Sequence, residues 1–244
     1  MSGHSHAKTV RRKKELSSKK RGQIFAKMAR LISVAVREGG PNPETNSKLR
    51  FAIETALSYN MPKENIERAI KRASGEIPGA KLEEVTFEAY GPGGIAIIIE
   101  GITDNKNRAL GEVKQILKQY NGKLVQEGGV KWMFERKGCI SVNLKSQNEE
   151  FQKRERLELA AIEAGAEDTY WHNDDLDIYT GVEDLGKVKE KLIEKGIKID
   201  STSLDWKPKK LIELNPKETE SCLKLFEALD ESDSVQDIYS NLKI

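Results

Sequence analysis

The sequence predicts an α+β protein with an N-terminal helical domain followed by two α+β, ferredoxin-like domains, one inserted in the other. Three observations lead there. Apolar residues recur at helical spacing up to about Gly75, β-rich runs begin at about residue 82, and residues 139–207 read strand, helix, two strands, helix, strand. That last order is the β-α-β-β-α-β unit. The expected domains are 1–80, then 81–134 together with 208–244, with 135–207 inserted.

Each element has its own signal. The first helix starts near Ser17 or Ser18 and places Ile24, Met28, Leu31, Ile32 and Ala35 on one face, widened by Phe25, Ala29 and Val36, until Gly39-Gly40-Pro41 stops it. Asn46 or Ser47 caps a second helix that buries Leu49, Ile53, Ala56 and Leu57 and ends at Asn60. Pro62 suits the first turn of a third helix, whose apolar face is Ile66, Ala69 and Ile70. Val85 to Tyr90 and Ile95 to Ile102 flank Gly91-Pro92-Gly93-Gly94 as a hairpin. Asp104 or Asn105 caps a helix ending at Asn121-Gly122. Lys123 to Phe134 then reads as strand with a Gly128-Gly129 interruption, and Glu135 to Gly138 as a charged linker. Within the insert, strands at Cys139–Leu144, Tyr170, Ile178 and Ile197–Trp206 alternate with helices over Glu149–Ala164 and Val182–Lys195. The tail reads as strand (Leu211–Leu214), helix (Lys217–Leu229) and strand (Val235–Tyr239), supplying the β-α-β that residues 82–134 lack.

Charge is divided unequally along the chain. The first 80 residues carry 17 Lys/Arg against 7 Asp/Glu, a net of +10, so the remainder of the +2 chain carries −8. Lys8, Arg11, Arg12, Lys13, Lys14, Lys19, Lys20, Arg21, Lys27 and Arg30 face one acid, Glu15. A segment of this density repels itself unless it meets a polyanion, and a duplex presents one phosphate charge per ~1.7 Å of its axis. Nucleic acid is the first partner to expect, although a solvated face is the usual fate of a charge run. Arg68, Lys71 and Arg72 share a face of the third helix and form a second cationic ridge. The break at Asn60-Met61 fits a helix-turn-helix and equally an ordinary helical hairpin.

Other chemistry finds little support. Cys139 and Cys222 have neither disulfide nor zinc spacing and read as buried thiols. No cofactor or metal is expected: Gly91-Pro92-Gly93-Gly94 lacks the phosphate-loop lysine and precedes a strand, and Asp174, Asp175 and Asp177 lack the EF-hand pattern and read as a solvated turn. His4, His6 and His172 have no partner at ligand spacing, and Asp104, Asn105, Asn107 and Arg108 crowd a strand-to-helix junction where helix capping explains at least Asp104. No nucleophile and base stand at a recognisable spacing, so no enzyme is expected. The absence of an apolar run of ~18 residues or a secretory leader points to a cytoplasmic protein.

Several blocks carry a family likeness. Met1-Ser2-Gly3-His4-Ser5, Lys20-Arg21-Gly22 with Ile24-Phe25, Asn60-Met61-Pro62-Lys63 leading into Asn65 to Arg72, Tyr90 to Gly94, Thr103-Asp104-Asn105 with Asn107-Arg108, Phe134 to Gly138, and the tail from Asp233 to Tyr239 resemble the YebC/PmpR family. At His6-Ala7 members typically read Lys-Trp, so no stacking role carries over to that point. The resemblance implies a three-domain cytosolic protein. It also implies a probable transcriptional regulator that binds DNA; the family's mitochondrial relatives look like translational activators. The reading is therefore a DNA-binding regulator of transcription, with the acidic domains open to protein partners. A ribosome- or rRNA-associated translation factor is the alternative, since Lys/Arg clusters attract RNA equally well.

Overall fold

The computed structural model describes residues 18–77 and 81–243. The described residues up to Lys131, with Leu214–Ser240, form one compact unit; Trp132–Glu213, with the chain from Asn241, form the other.

The first unit begins with three helices, α1 (Ser18–Gly39), α2 (Ser47–Ser58) and α3 (Lys63–Ala73). Both α2 and α3 pack on α1, around Ile24, Met28, Ile32, Leu49, Ala52 and Ile66. Asn46 fixes the α1–α2 corner: its Oδ1 accepts from Leu49 N at 3.0 Å while its Nδ2 donates to the carbonyls of Ala35 (2.7 Å) and Gly40 (2.8 Å). Asn60 takes the left-handed φ of 58° that ends α2.

A four-stranded antiparallel sheet follows, in the order β3-β1-β2-β8, with β1 Glu83–Tyr90, β2 Ala96–Thr103, β3 Lys123–Val125 and β8 Val235–Ser240. The β1–β2 hairpin turns through Pro92–Gly94, where Gly93 and Gly94 have φ of 67° and 77°, values that favour glycine. Helices α4 (Lys106–Gln119), capped by Asn105, and α7 (Pro216–Glu231), capped by Asn215, bury Val113, Leu117, Leu225 and Phe226. Where β2 meets β8 the register shifts at Glu100/Gly101, and a Cβ on Gly101 would overlap the Ser234 carbonyl oxygen.

The strand expected over residues 123–134 is cut short at Val125. Glu88, buried in β1, accepts from the backbone N–H groups of Gly128 (2.7 Å), Val130 (2.7 Å) and Lys131 (2.8 Å), and so folds that stretch into a turn. Burial alone would push the Glu88 carboxyl up; the three N–H donors and the charge of Lys131 outweigh it and hold the pKa below its ordinary value.

The second unit carries β4 (Phe134–Asn143), α5 (Arg154–Ala164), β5 (Asp168–His172), β6 (Asp175–Thr180), α6 (Leu185–Glu194) and β7 (Ser201–Pro208). Its antiparallel sheet runs β5-β6-β4-β7, the strand order of the β-α-β-β-α-β unit, over a core of Ile140, Val142, Leu157, Ala161, Ile178 and Leu192. Residues 135–138 are strand, correcting the linker expectation. Their side chains find partners: Glu135 opposes Lys207 in the ladder, Arg136 lies 4.9 Å from the Trp206 ring centroid, and Lys137 Nζ sits 2.7 Å from Glu167, just before β5. The expected strand at Leu211–Leu214 reduces to a single parallel bridge between Ile212 and Leu242.

Candidate nucleic-acid interface

The sequence-derived cations meet three fates. Lys8, Arg11, Arg12, Lys13 and Lys14 lie outside the described residues, and Lys19 and Lys20 fall in the first turn of α1, with exposed Arg21 following them. Lys27 is a correction. It is buried on the packed side of α1, and its Nζ is 2.7 Å from Asp230 Oδ1 and 2.9 Å from the Asp230 carbonyl oxygen in α7. A lysine on the apolar stripe shared by Ile24, Met28 and Leu31 is held by an internal carboxylate and is not presented to phosphate.

Arg30, Arg68 and Arg72 come together. They line a groove of about 450 Å³ between α1 and α3, joined by Arg37, which the sequence reading missed. The spacing explains the convergence: Ala26, Ala29, Arg30, Ser33 and Arg37 fall on one stripe of α1, and Asn65, Arg68, Ala69, Arg72 and Ala73 on one stripe of α3. The seven-residue interval from Arg30 to Arg37, two helical turns, was the available signal. Lys71 is exposed beside Arg68 and Arg72 on α3 but does not line the groove. Arg68 and Arg72 are themselves exposed, so they line the groove while staying open to solvent.

The groove's lining is cationic. Four guanidiniums line it and no carboxylate does. Arg37 Nη1 donates to the Leu82 carbonyl at 3.3 Å, whereas Arg30, Arg68 and Arg72 have no ion-pair partner among the described residues. Arg30 Nη1 is shielded from solvent and has no hydrogen-bond partner among those residues. A buried donor without an acceptor is costly, and a guanidinium fork matches phosphate oxygens. An acceptor small enough to enter the groove meets the first condition, and a phosphate at the exposed guanidiniums of Arg68 and Arg72 meets the second.

The remaining candidates lead elsewhere. Asp174, Asp175 and Asp177 separate onto Lys145 (2.6 Å), Asn143 (2.7 Å) and, for Asp177, Ser141 with His172 Nε2 at 3.1 Å. Asp177 and His172 are buried, so the solvated-turn expectation fails at Asp177: it lies inside β6, opposite Ser141. Among the described residues no group of His, Cys, Asp and Glu is placed to hold a metal, and no helix is long and apolar enough to cross a membrane. Asn105 accepts from Arg108 N at 3.0 Å as a helix cap.

Cys139 and Cys222 are buried free thiols, and burial, aided by the charge of Glu218, pushes Cys222 up to about 11. Neither is expected to be alkylated by iodoacetamide in native protein at neutral pH, and both in urea. Mass spectrometry of the two samples checks this, since the thiolate is the reacting form.

Comparison with known proteins completes the description. Residues 5–76 match the family model described as the TACO1/YebC protein N-terminal domain, and residues 82–242 match that of the TACO1/YebC second and third domain. The chain is 44% identical over 244 residues to a "Probable transcriptional regulatory protein" of Dictyoglomus turgidum, covering 100% of this chain and 96% of that one. A protein of the same name from Pseudothermotoga lettingae is 43% identical, with 100% and 94% covered. Among solved structures, that of a conserved hypothetical protein, Aq1575, from Aquifex aeolicus superposes with a TM-score of 0.87 at 43% identity, covering 95% of this chain and 94% of the other. On these matches, which run through the helical unit, the arginine groove and both sheets, the chain belongs to the TACO1/YebC family.

Proposed function

We propose that this chain is a non-enzymatic, nucleic-acid-binding regulator acting on DNA in transcription. The observation that carries the proposal is the acid-free arginine groove between α1 and α3, set in a segment of net charge +10. Opposed carboxylates would mark these cations as structural, as Asp230 does for Lys27; no carboxylate lines this groove, and Arg30, Arg68 and Arg72 are left for an external polyanion. The names of the curated relatives support transcription as the process. In this reading the basic residues before and within α1 add phosphate contacts to those of the groove.

If these groups together neutralise roughly six phosphates, log K for duplex DNA falls with log salt at a slope of about −5. Replacing Arg11, Arg12, Lys13 and Lys14 with glutamine lowers both affinity and slope and leaves stability unchanged. A regulator must also discriminate sequence. A selected site is expected to bind at least tenfold tighter than scrambled duplex at ~150 mM salt, a difference of about 1.4 kcal/mol. Affinity titrations across a salt series measure both quantities. A slope near zero removes the nucleic-acid reading; equal affinity for every duplex, with co-sedimentation on ribosomes, replaces DNA by the translation machinery.

A further inference from the structure

The groove has two kinds of lining, and phosphate explains only one. Its cations are Arg30, Arg37, Arg68 and Arg72, but most of the remaining lining is small or apolar: Phe25, Ala26, Ala29, Ala69 and Ala73 form an apolar strip without a long side chain other than Phe25. A duplex backbone has no apolar plane to lay on such a strip, and its phosphates do not reach a guanidinium nitrogen sealed from solvent, as Arg30 Nη1 is. At about 450 Å³ the space falls in the ~300–1,000 Å³ range of sites that enclose a small ligand. An unpaired nucleotide offers what both linings require, a planar base with an apolar face and a flexibly attached phosphate.

We infer that the groove between α1 and α3 holds one unpaired nucleotide of a polynucleotide strand. Its base lies along the alanine strip beside Phe25, and its phosphate is clamped by Arg68 and Arg72. Arg30 supplies a hydrogen bond from the groove floor, and Asn65 and Ser33 stand within the same lining. The inference rests on the nucleic-acid reading above and narrows it to a strand that is single, or opened at the point of contact. The same chemistry is available from DNA and from RNA.

The test uses the full chain and fluorescence anisotropy with four probes of equal length: single-stranded DNA, single-stranded RNA, a strand of abasic sites, and duplex DNA. The normal strands are expected to bind about tenfold or more tighter than the abasic strand, which has the same phosphates but nothing to stack. Ala26→Leu fills the strip at an exposed position and is expected to bring normal-strand affinity down to the abasic level while abasic affinity holds. Arg30→Met removes the sealed charge. It is expected to weaken strand binding tenfold while leaving Tm unchanged or raising it, which a merely structural arginine would not do. Equal binding of normal and abasic strands, or an Ala26→Leu protein that binds like the parent, overturns the groove assignment while leaving salt-dependent nucleic-acid binding standing. Failure of all four probes to bind overturns both.

Discussion

Replacing Asp230 with alanine is expected to destabilise the first unit by about 3 kcal/mol, the largest effect of any single side-chain truncation considered for its helices. Lys27 is 4% exposed, and its ammonium is held by both the carboxylate and the carbonyl oxygen of Asp230. Removing the carboxylate leaves a cation in a site that excludes water, with one acceptor lost. Lys27→Met takes the charge away with its partner and is expected to cost less, about 1–2 kcal/mol, because Asp230 is partly exposed and regains water. Combined with Asp230→Ala, it recovers much of the loss. Urea unfolding of the three variants measures the cycle. The binding readout separates the two views of Lys27: a phosphate contact predicts weaker DNA affinity for Lys27→Met under conditions where the variant is folded, whereas the ion pair with Asp230 predicts none.

Glu88→Ala is expected to cost at least about 3 kcal/mol, since three backbone N–H groups lose a charged acceptor at once. Glu88→Gln keeps the shape but offers one acceptor oxygen and no charge, so it is expected to cost about half as much. The effect has a definite pH dependence. The folded carboxyl titrates below its ordinary value of 4.5, so its stabilisation is fully present above that value and is lost as pH falls through the lowered folded pKa. The stability gap between parent and Glu88→Gln should be constant at neutral pH and close in acid. Denaturant midpoints from pH 7 to pH 3 follow it, and a gap that stays constant throughout would mean that the loop is not held by the ionised carboxylate.

Much of the architecture was legible because its signals are local. Asn46, Asn60 and Asn105 each carry their own geometry, a cap or a left-handed residue, and the elements end where those residues stand. The order of elements in the insert was equally plain from period and turn chemistry. What could not be read was settled at a distance. Glu135, Arg136 and Lys137 look like linker until Lys207, Trp206 and Glu167 are placed beside them, and Val125 ends a strand because of Glu88 in the neighbouring one. The same holds for the site: Lys27 counted as a phosphate contact because its partner is 203 positions away. Arg37 went unnoticed because it stands past the dense basic segment, although its helical phase was visible.

The sheet order β3-β1-β2-β8 also bears on how the chain folds as it leaves the ribosome. The Tyr239 hydroxyl donates to Glu100 Oε2 at 3.5 Å diagonally across the β2–β8 pairing, and the two residues are 139 positions apart. Until β8 is synthesised, Ile97, Ile98 and Ile99 form an apolar strand with an open edge, a template for pairing with a foreign chain. The intervening β4–β7 sheet draws all its strands from residues 134–208 and can close first. The insert's sheet can therefore pair all its strands while its host is still waiting for a last one, and only the Ile212–Leu242 bridge is added later. Capture of β8 by β2, a contact of high sequence separation, is expected to be a slow step in maturation, and a message that stops short of Val235 is expected to yield a paired insert sheet beside an unguarded, aggregation-prone host sheet.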